Sequence, residues 1–124
     1  MHNFRKLDIW IDGVDLADSV YTLTESFPRQ EIYGLSSQMQ RAAVSTPSNI
    51  AEGSGKDSDA DFARFLAISL ASLYELETQL EIAYRRAYVS EENYYSMRTH
   101  VESLQKRIYN FRQRIITPSS ESPN

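Results

Sequence analysis

Few residues in this sequence have obvious chemical capacity, and none falls in a spacing that defines a catalytic centre. The two histidines, His2 and His100, stand far apart, and neither has a partner at a spacing typical of a metal site. A serine hydroxyl becomes a nucleophile only with a base within hydrogen-bond reach, and His100 is the only candidate base for the whole chain. The absence of cysteine excludes disulfides, thiolate metal sites and a cysteine nucleophile. The sequence therefore predicts neither an enzyme nor a bound metal or cofactor.

Carboxylates supply the remaining candidate for acid–base or metal chemistry. Glu77 and Glu81 are four residues apart and share one face of a predicted helix, whereas Glu75 points about 160° away from Glu77. Glu52, on an earlier helix, is the fourth member of this set. A di-iron bundle needs Glu-x-x-His pairs on two helices, and the sequence contains none. We interpret the set as an acidic surface and keep a carboxylate metal-dependent enzyme as a third functional alternative.

The glycine-rich segment Gly53-Ser54-Gly55-Lys56 is a weak match to a phosphate-binding loop. A Walker A loop requires a preceding strand and the spacing G-x-x-x-x-G-K-[ST], and both are missing here. The segment is therefore interpreted as the end of a helix followed by a turn.

The distribution of charge indicates a partner more clearly than the total does. The 124 residues carry a formal charge of −4, yet residues 1–84 sum to −7 and residues 85–116 to +4. The last predicted helix therefore has a basic outer face that can neutralise phosphates. The alternative is that arginines near a helix C-terminus complement the helix dipole and keep the surface soluble. The candidate nucleic-acid contacts are Arg98, Lys106, Arg107, Arg112 and Arg114.

Apolar spacings of three and four residues recur in every long segment, and no extended alternation of period two is present, so the sequence predicts an all-α fold. The first predicted helix runs from Arg5 to Ser26 and ends before Pro28. The second begins near Tyr33 or Leu35 and reaches Gly53. Pro47 lies inside it, and we predict that the helix kinks there, the alternative being that it stops and restarts with Thr46 as N-cap. The predicted core stripe of the first helix is Leu7, Trp10, Val14, Ala17 and Tyr21, widened by Ile11, Leu16, Val20 and Leu23.

The third and fourth helices have the clearest signals. Ser58 and Ser90 are predicted N-caps followed by acidic first turns, and the two helices are predicted to end near Ala87 and Ile116. Their apolar positions alternate in steps of four and three, a pattern suited to left-handed bundle packing. The predicted stripes are Phe62, Leu66, Ser69, Leu73, Leu76, Leu80, Ala83 and Ala87, then Tyr94, Met97, Val101, Leu104, Ile108, Phe111 and Ile115.

These four segments predict one domain over residues 1–116, an antiparallel up-down-up-down, left-handed four-helix bundle, with a disordered Ser/Pro-rich tail over residues 117–124. No signal peptide or membrane-spanning stretch is recognised, so a cytoplasmic protein with no membrane partner is expected. Eight apolar residues exceed what a four-helix core holds and indicate self-association. They are Ile9, Ile11, Ile32, Phe65, Ile68, Ile82, Tyr88 and Ile116.

Several segments resemble the four-helix-bundle proteins known as 23S rRNA intervening-sequence proteins. The resemblance is carried by Tyr33-Gly34-Leu35, Gln38, Arg41-Ala42-Ala43-Val44-Ser45 and Pro47-Ser48-Asn49-Ile50-Ala51-Glu52-Gly53, then by Ser72-Leu73-Tyr74-Glu75-Leu76-Glu77-Thr78-Gln79-Leu80. The start, Phe4-Arg5-Lys6-Leu7 with Ile9-Trp10, is similar to their first helix. Two departures are Gln40, where a basic residue is usual, and Thr46, where isoleucine is frequent.

The resemblance implies a bacterial protein whose specific role is unknown and which assembles as a homopentamer around a central channel. It also marks Pro47, Asn49, Glu52 and Gly53 as a structural signature. Related accessory variability proteins of retroelements bind a reverse transcriptase and nucleic acid, but they are basic, whereas this chain is acidic. The sequence-based hypothesis is a non-enzymatic oligomeric scaffold for RNA or a nucleoprotein. The alternative is a purely protein-binding or structural homo-oligomer.

Pro47 has no backbone N–H, so the Ala43 carbonyl loses its helical donor. We expect Ser48 or Asn49 to help satisfy that carbonyl, directly or through water.

Overall fold

The computed structural model describes residues 3–117, which form four α-helices and two short 3₁₀ turns and contain no strand. The all-α prediction is therefore confirmed for this range. The expected disorder of residues 118–124 falls outside the described residues. The helices are α1 (Asp8–Thr24), α2 (Leu35–Ser54), α3 (Asp59–Arg85) and α4 (Glu91–Ile116), and the 3₁₀ turns are Phe4–Lys6 and Arg29–Glu31.

The N-termini of α3 and α4 are fixed by the two predicted serine caps. Ser58 Oγ accepts a hydrogen bond from the Asp61 N–H at 3.1 Å, and Ser90 Oγ accepts one from the Asn93 N–H at 3.1 Å. Each cap satisfies an N–H that has no partner inside the helix, and the acidic first turns complement the positive end of the helix dipole. Both predicted starts are confirmed.

Two helix ends differ from the sequence prediction. Helix α1 begins at Asp8 rather than Arg5, because Leu7 is extended (φ −80°, ψ 123°) and separates α1 from the Phe4–Lys6 turn. Helix α3 ends at Arg85 rather than near Ala87. Ala87 adopts a left-handed conformation (φ 63°), and the Tyr88 N–H donates to the Ala83 carbonyl at 2.9 Å. This is the geometry of a Schellman C-cap, which usually has glycine where Ala87 stands.

Helix α2 continues through Pro47, so it does not stop and restart with Thr46 as an N-cap. Thr46 is fully buried inside the helix, and its hydroxyl donates to the Ala42 carbonyl at 3.2 Å. Pro47 is also buried and lies directly against Gly13 of α1, where an added Cβ would come within 3.2 Å of the Pro47 Cβ. The kink at Pro47 and the left-handed sense of the bundle stay predictions.

Neighbouring helices run antiparallel. Residue pairs in contact between α2 and α3 advance in opposite directions along the two helices: Gly53 faces Phe62 and Phe65, whereas Ser45 bonds to Ser72. Helix α1 packs on α2 in the same way, from Gly13 against Pro47 to Thr24 bonded to Gln40. With α4 packed on both α3 and α1, the described residues form a four-helix bundle.

The core stripes of α3 and α4 are largely as predicted. Phe62 through Ala83 of the α3 stripe and Tyr94 through Ile108 of the α4 stripe are buried, whereas Ala87 is exposed and Phe111 and Ile115 are half-buried. Heptad spacing therefore located most large buried side chains of both helices, because each stripe keeps facing the same neighbours along its length, but it missed Phe65 and Leu70 of α3.

The predicted stripe of α1 is right in part. Leu16, Ala17 and Val20 are buried, and Leu7, Trp10 and Leu23 pack against the core. Ile11, Val14 and Tyr21 are instead 45%, 41% and 46% exposed. A count of large apolar residues misses Gly13 and Thr24, which also face the core. Gly13 lies against Pro47, and Thr24 bonds to Gln40. The buried residues of α1 are Ile9, Gly13, Leu16, Ala17, Val20 and Thr24.

Fewer of the eight surplus apolar residues are exposed than the sequence predicts. Ile9 and Phe65 belong to the buried core, and Tyr88 is half-buried against it. The remaining five are exposed, and a surface with several exposed isoleucines remains compatible with contact to another protein. They are Ile11, Ile32, Ile68, Ile82 and Ile116.

The close approach of α2 and α3 predicts opposite outcomes for two neighbouring glycines. A Cβ at Gly53 would lie 2.7 Å from the Phe65 Cβ, so Gly53→Ala should lower the free energy of unfolding by about 1–3 kcal/mol through overpacking. At Gly55 the nearest atom would be 3.6 Å away, so Gly55→Ala should be neutral or stabilising by up to about 1 kcal/mol. Urea unfolding of both variants tests this, and equal stabilities would contradict the packing described here.

Candidate nucleic-acid interface

The five candidate cations of α4 do not form one strip. Successive residues of an α-helix are rotated by about 100°, which places Arg98 and Arg112 on the side of α4 towards α3 and Arg107 and Arg114 on the side towards α1. Lys106 lies between these two groups and points away from the core. It makes no ion pair with any residue from 3 to 117.

The two arginines on the α3 side are held by the bundle itself. The Arg112 Nε donates to the Ala63 carbonyl in the first turns of α3 at 2.8 Å. The Arg98 Nε pairs with Glu102 one turn further along α4 at 3.3 Å. Each bond directs a guanidinium along the protein surface, so both residues have a structural role that the sequence did not reveal.

The arginines on the α1 side meet a cation that the sequence prediction did not include. Antiparallel packing brings the C-terminal part of α4 beside the Phe4–Lys6 turn, and a groove of about 340 Å³ lies between them. Lys6, Arg107 and Arg114 all line this groove, and only Asp8 opposes them there. The antiparallel topology was the signal that could have linked Lys6 with Arg114. We call this the basic groove, and its lining is Lys6, Leu7, Asp8, Ile9, Arg107, Asn110, Phe111 and Arg114.

Aromatic rings accompany the cations around this end of the bundle. The Arg114 guanidinium lies 5.6 Å from the centre of the Phe111 ring, and that of Arg5 lies 5.8 Å from the centre of Phe4. Phe4 in turn contacts Trp10 edge to face at 5.0 Å. Cations combined with accessible rings are the usual chemistry of single-stranded nucleic-acid binding.

Arg107 is tied to the only described carboxylate that bridges α1 and α4. Asp12 accepts a hydrogen bond from Arg107 through Oδ2 and lies 2.7 Å from the His100 Nε2 through Oδ1. Burial alone would raise the pKa of Asp12, but the bonds to His100 and Arg107 outweigh it and hold that pKa below its ordinary value. Asp12 is therefore ionised at neutral pH and joins the two helices.

A longer polar groove of about 780 Å³ runs from this carboxylate along the line between α1 and α4. Six serine and threonine residues line it, two from α1, one just after α1 and three from α4, together with the apolar Leu23 and Met97. Arg107 lines both this groove and the basic groove, so the two grooves adjoin at this residue. The hydroxyl residues are Ser19, Thr22, Ser26, Ser96, Thr99 and Ser103.

The fold does not bring together the glutamates that the sequence offers as a carboxylate site. Glu52 lies beside the first turns of α3, because its neighbour Gly53 contacts Phe62 there, whereas Glu77 and Glu81 lie further along α3. Glu77 accepts a hydrogen bond from the Gln105 amide at 2.8 Å. Among residues 3–117 there is no group of three side chains placed to hold a metal ion.

Glu81 is occupied by two hydrogen bonds. Its Oε1 accepts one from the Tyr94 hydroxyl at 2.5 Å, and its Oε2 accepts one from the Arg85 Nε at 3.0 Å. The bond from Tyr94, followed by that from Arg85, lowers the pKa of Glu81, and the same bond raises the pKa of Tyr94. Glu81 therefore ties α3 to α4 as an ionised acceptor.

The signature residues have packing roles. The Asn49 Nδ2 donates to the Ser45 carbonyl at 2.8 Å and to the Ser45 hydroxyl at 2.9 Å rather than to Ala43, and satisfaction of the Ala43 carbonyl by Ser48 or through water stays a prediction. Pro47 and Gly53 allow α1 and α3 to approach α2 closely, and Glu52 is exposed.

The segment after Gly53 ends α2 as a turn, as predicted. Ser54 donates to the Ala51 carbonyl at 2.7 Å, and Gly55 is the C-cap residue.

The fold and these grooves define the protein as a small all-α four-helix bundle with a cationic end. The chain belongs to the 23S rRNA-intervening sequence protein family, whose model matches residues 5–110. It is also similar to the crystal structure of a protein of unknown function from the S23 ribosomal protein family of Bacteroides thetaiotaomicron VPI-5482. The two are 25% identical, with a TM-score of 0.77 over 85% of this chain and 98% of the other.

None of the curated proteins compared with the chain matches it. Within the described residues, no helix combines the length and hydropathy that a bilayer crossing requires.

The bond network around Asp12 predicts a pH-dependent contribution to stability. Because the folded-state pKa of Asp12 is lowered, its contribution is present above the ordinary value of 3.8 and disappears as the pH falls through the folded-state pKa. At pH 7, Asp12→Asn should lower the free energy of unfolding by about 1–2 kcal/mol, a figure reduced for the partial exposure of the pair.

The measurement is urea unfolding of the wild type and of Asp12→Asn at pH values from 7 to 3. The difference between the two should shrink at acid pH, and Asp15→Asn, an exposed carboxylate of the same helix, is the control. A difference that does not change with pH would contradict the assigned ionisation.

Proposed function

We propose that the protein is a non-enzymatic, homo-oligomeric scaffold of five copies that binds RNA or a nucleoprotein in the cytoplasm. The observation that carries the nucleic-acid part is the basic groove, where Lys6, Arg107 and Arg114 converge from two parts of the chain. The family description names an intervening sequence of 23S rRNA, and this supports RNA as the partner.

Lys6 and Arg114 are the cations best suited to phosphate. Both are exposed, and no ion pair in the described range uses them. Arg107 keeps one guanidinium nitrogen on Asp12 and is 40% exposed, so its other N–H donors can face the groove. The net charge of −4 repels nucleic acid at a distance, so binding should depend on these local contacts and be sensitive to salt.

The outer face of α3 favours the alternative, a protein-binding or structural homo-oligomer without nucleic acid. Ile68 and Ile82 are 40% and 47% exposed, and Ala71, Glu75 and Thr78 lie between them on the same face, with Ala67 beside Ile68. Small and aliphatic residues in helical spacing let another helix approach closely. This face supports self-association under either candidate function.

A carboxylate enzyme is the weakest candidate. The oxygens of Glu77 and Glu81 already accept hydrogen bonds from Gln105, Tyr94 and Arg85, and Glu52 is far along the bundle from both. We therefore assign these residues to structure and do not propose a reaction.

The first prediction concerns RNA affinity. A single-stranded RNA oligomer should bind with an affinity that falls as salt rises, and Arg114→Ala or Lys6→Ala should each flatten the log–log salt dependence by about 0.7, the loss of one phosphate contact. Fluorescence anisotropy between 50 and 200 mM salt gives the slopes.

The matched control is Arg86→Ala, an exposed cation at the opposite end of the bundle. Its slope should equal that of the wild type. Absence of binding at low salt, or an equal effect of Arg86→Ala, would exclude the basic groove as the contact.

The second prediction concerns the assembly. Sedimentation of nuclease-treated protein should give a mass roughly five times that of the 14.3 kDa chain. A double variant, Ile68→Glu with Ile82→Glu, should reduce that mass, because like charges would meet across an apolar contact. Val44→Glu, at an exposed apolar position of α2 outside this set of isoleucines, is the control. A wild-type monomer at micromolar concentration would overturn the oligomeric part of the proposal.

A further inference from the structure

The connection between α1 and α2 carries the most exposed of the large hydrophobic side chains among the described residues. Tyr33 is 97% exposed and its neighbour Ile32 is 51% exposed, although α2 begins only two residues after Tyr33. The Tyr33 ring therefore makes almost no contact with its own bundle. An aromatic ring so placed adds nothing to the core, whereas aromatic side chains are the most frequent anchors of protein interfaces.

The turn that displays Tyr33 is held rigidly by one carboxylate. Glu31 Oε1 accepts a hydrogen bond from the Leu35 N–H at 3.0 Å, and Glu31 Oε2 accepts one from the Tyr88 hydroxyl at 3.0 Å. The bond from Leu35, then that from Tyr88, lowers the pKa of Glu31, so the carboxylate is ionised at neutral pH.

Gly34 leaves room for the bonded Glu31 carboxylate, because a Cβ there would lie 2.8 Å from Glu31 Oε1 and would displace that side chain. The backbone bonds from Glu31 N to Pro28 O and from Gly34 N to Glu31 O, at 2.9 and 3.0 Å, complete the turn. A rigid display reduces the entropy lost when the exposed ring is bound.

A groove of about 400 Å³ lies beside this turn and has room for an aromatic ring. Phe27 and Tyr21 give it apolar walls, and Thr24 and Gln40 lie on one side, joined by a 3.0 Å hydrogen bond. Tyr33 of the same chain does not enter it, since its ring is almost fully exposed. The groove lining is Tyr21, Thr24, Glu25, Phe27, Arg29, Ile32, Ser36 and Gln40.

The charges at the groove complement each other between copies. Glu25 and Arg29 are exposed on its rim, and neither has an ion-pair partner within residues 3–117. Arg29 begins the Arg29–Glu31 turn, four residues before Tyr33, whereas Glu25 is the C-cap residue of α1. A copy that inserts Tyr33 into the groove of a neighbour can therefore bring its Arg29 to the neighbour's Glu25.

We propose that Tyr33 of one copy inserts into the Tyr21–Phe27 groove of a second copy, with Arg29 and Glu25 paired across the contact. The inference rests on the proposed self-association and names the residues that drive it at this end of the bundle. Ring and groove are different surfaces, so each copy can insert Tyr33 into one neighbour and accept Tyr33 from another, as a head-to-tail contact that closes a ring requires.

The first test is the association of Tyr33→Ala, measured by sedimentation over a range of protein concentrations. Truncating a central interface aromatic should weaken association by about tenfold or more, whereas Tyr33→Phe should associate like the wild type. Tyr109→Ala removes a tyrosine that is 51% exposed on α4 and is the matched control. Far-UV circular dichroism spectra should be unchanged, because the exposed Tyr33 ring adds nothing to the core, and this separates assembly from folding.

A charge exchange tests the direction of the contact. Glu25→Arg and Arg29→Glu should each weaken association, and the double variant should restore it, because the pair is re-formed with reversed signs between copies. Failure of the double variant to restore association would overturn the pairing.

A cross-link locates the occupant of the groove. The chain contains no cysteine, so Tyr33→Cys can carry a single photoreactive group without other changes. In a mixture of isotope-labelled and unlabelled chains, the expected product joins position 33 of one copy to residues 21–40 of the other. A cross-link to RNA, or to another part of the bundle, would overturn the assigned occupant.

The outcomes separate this inference from the proposed function. A wild-type monomer would overturn both. An oligomer that persists unchanged in Tyr33→Ala would overturn the inference and leave the scaffold function standing.

Discussion

The bundle depends on the close approach of α1 and α3 to a central helix that has few large side chains. Helix α2 buries Met39 and Ile50, and its other buried residues are small, polar or proline. Gly13 fits against Pro47, and Gly53 fits against Phe62 and Phe65. These contacts set how α1 is rotated and how near α3 lies, so the positions of every other side chain follow from them.

The close approach of α3 to α2 also allows hydrogen bonds to the polar atoms of α2. The Ser69 hydroxyl of α3 donates to the Thr46 carbonyl at 2.8 Å, and Ser72 and Ser45 share a hydrogen bond of 2.8 Å. Small hydroxyl residues reach a neighbouring backbone only when two helices are close, and an unpaired buried polar group would be costly. Helix α2 thus has few large apolar side chains to pack against α3, and these directional hydrogen bonds compensate by fixing the register of α3.

What the sequence could predict follows from this arrangement. Helices α3 and α4 were predicted well because Ser58, Ser90 and a regular apolar stripe are local signals. The buried face of α1 was predicted less well, because the burial of Gly13 depends on Pro47, more than thirty residues away. The end of α3 depends on Ala87 accepting a left-handed conformation that usually marks glycine. In the candidate site, the α4 cations were found by composition, whereas the bonds of Arg107 to Asp12 and of Arg112 to Ala63 join distant segments that no spacing rule connects.

The two ends of the bundle are far enough apart to carry different functions. Tyr33 and the Glu31 bonds lie where α4 begins, and the basic groove lies where α4 ends, 26 residues and about 39 Å further along. That separation is several times the Debye length of about 8 Å at physiological ionic strength, so charges at one end hardly affect the other. Under the proposed assembly, a contact at the Tyr33 end would leave every basic groove accessible. Five weak phosphate sites would then act together, and avidity would offset the repulsion that a net acidic chain exerts on RNA.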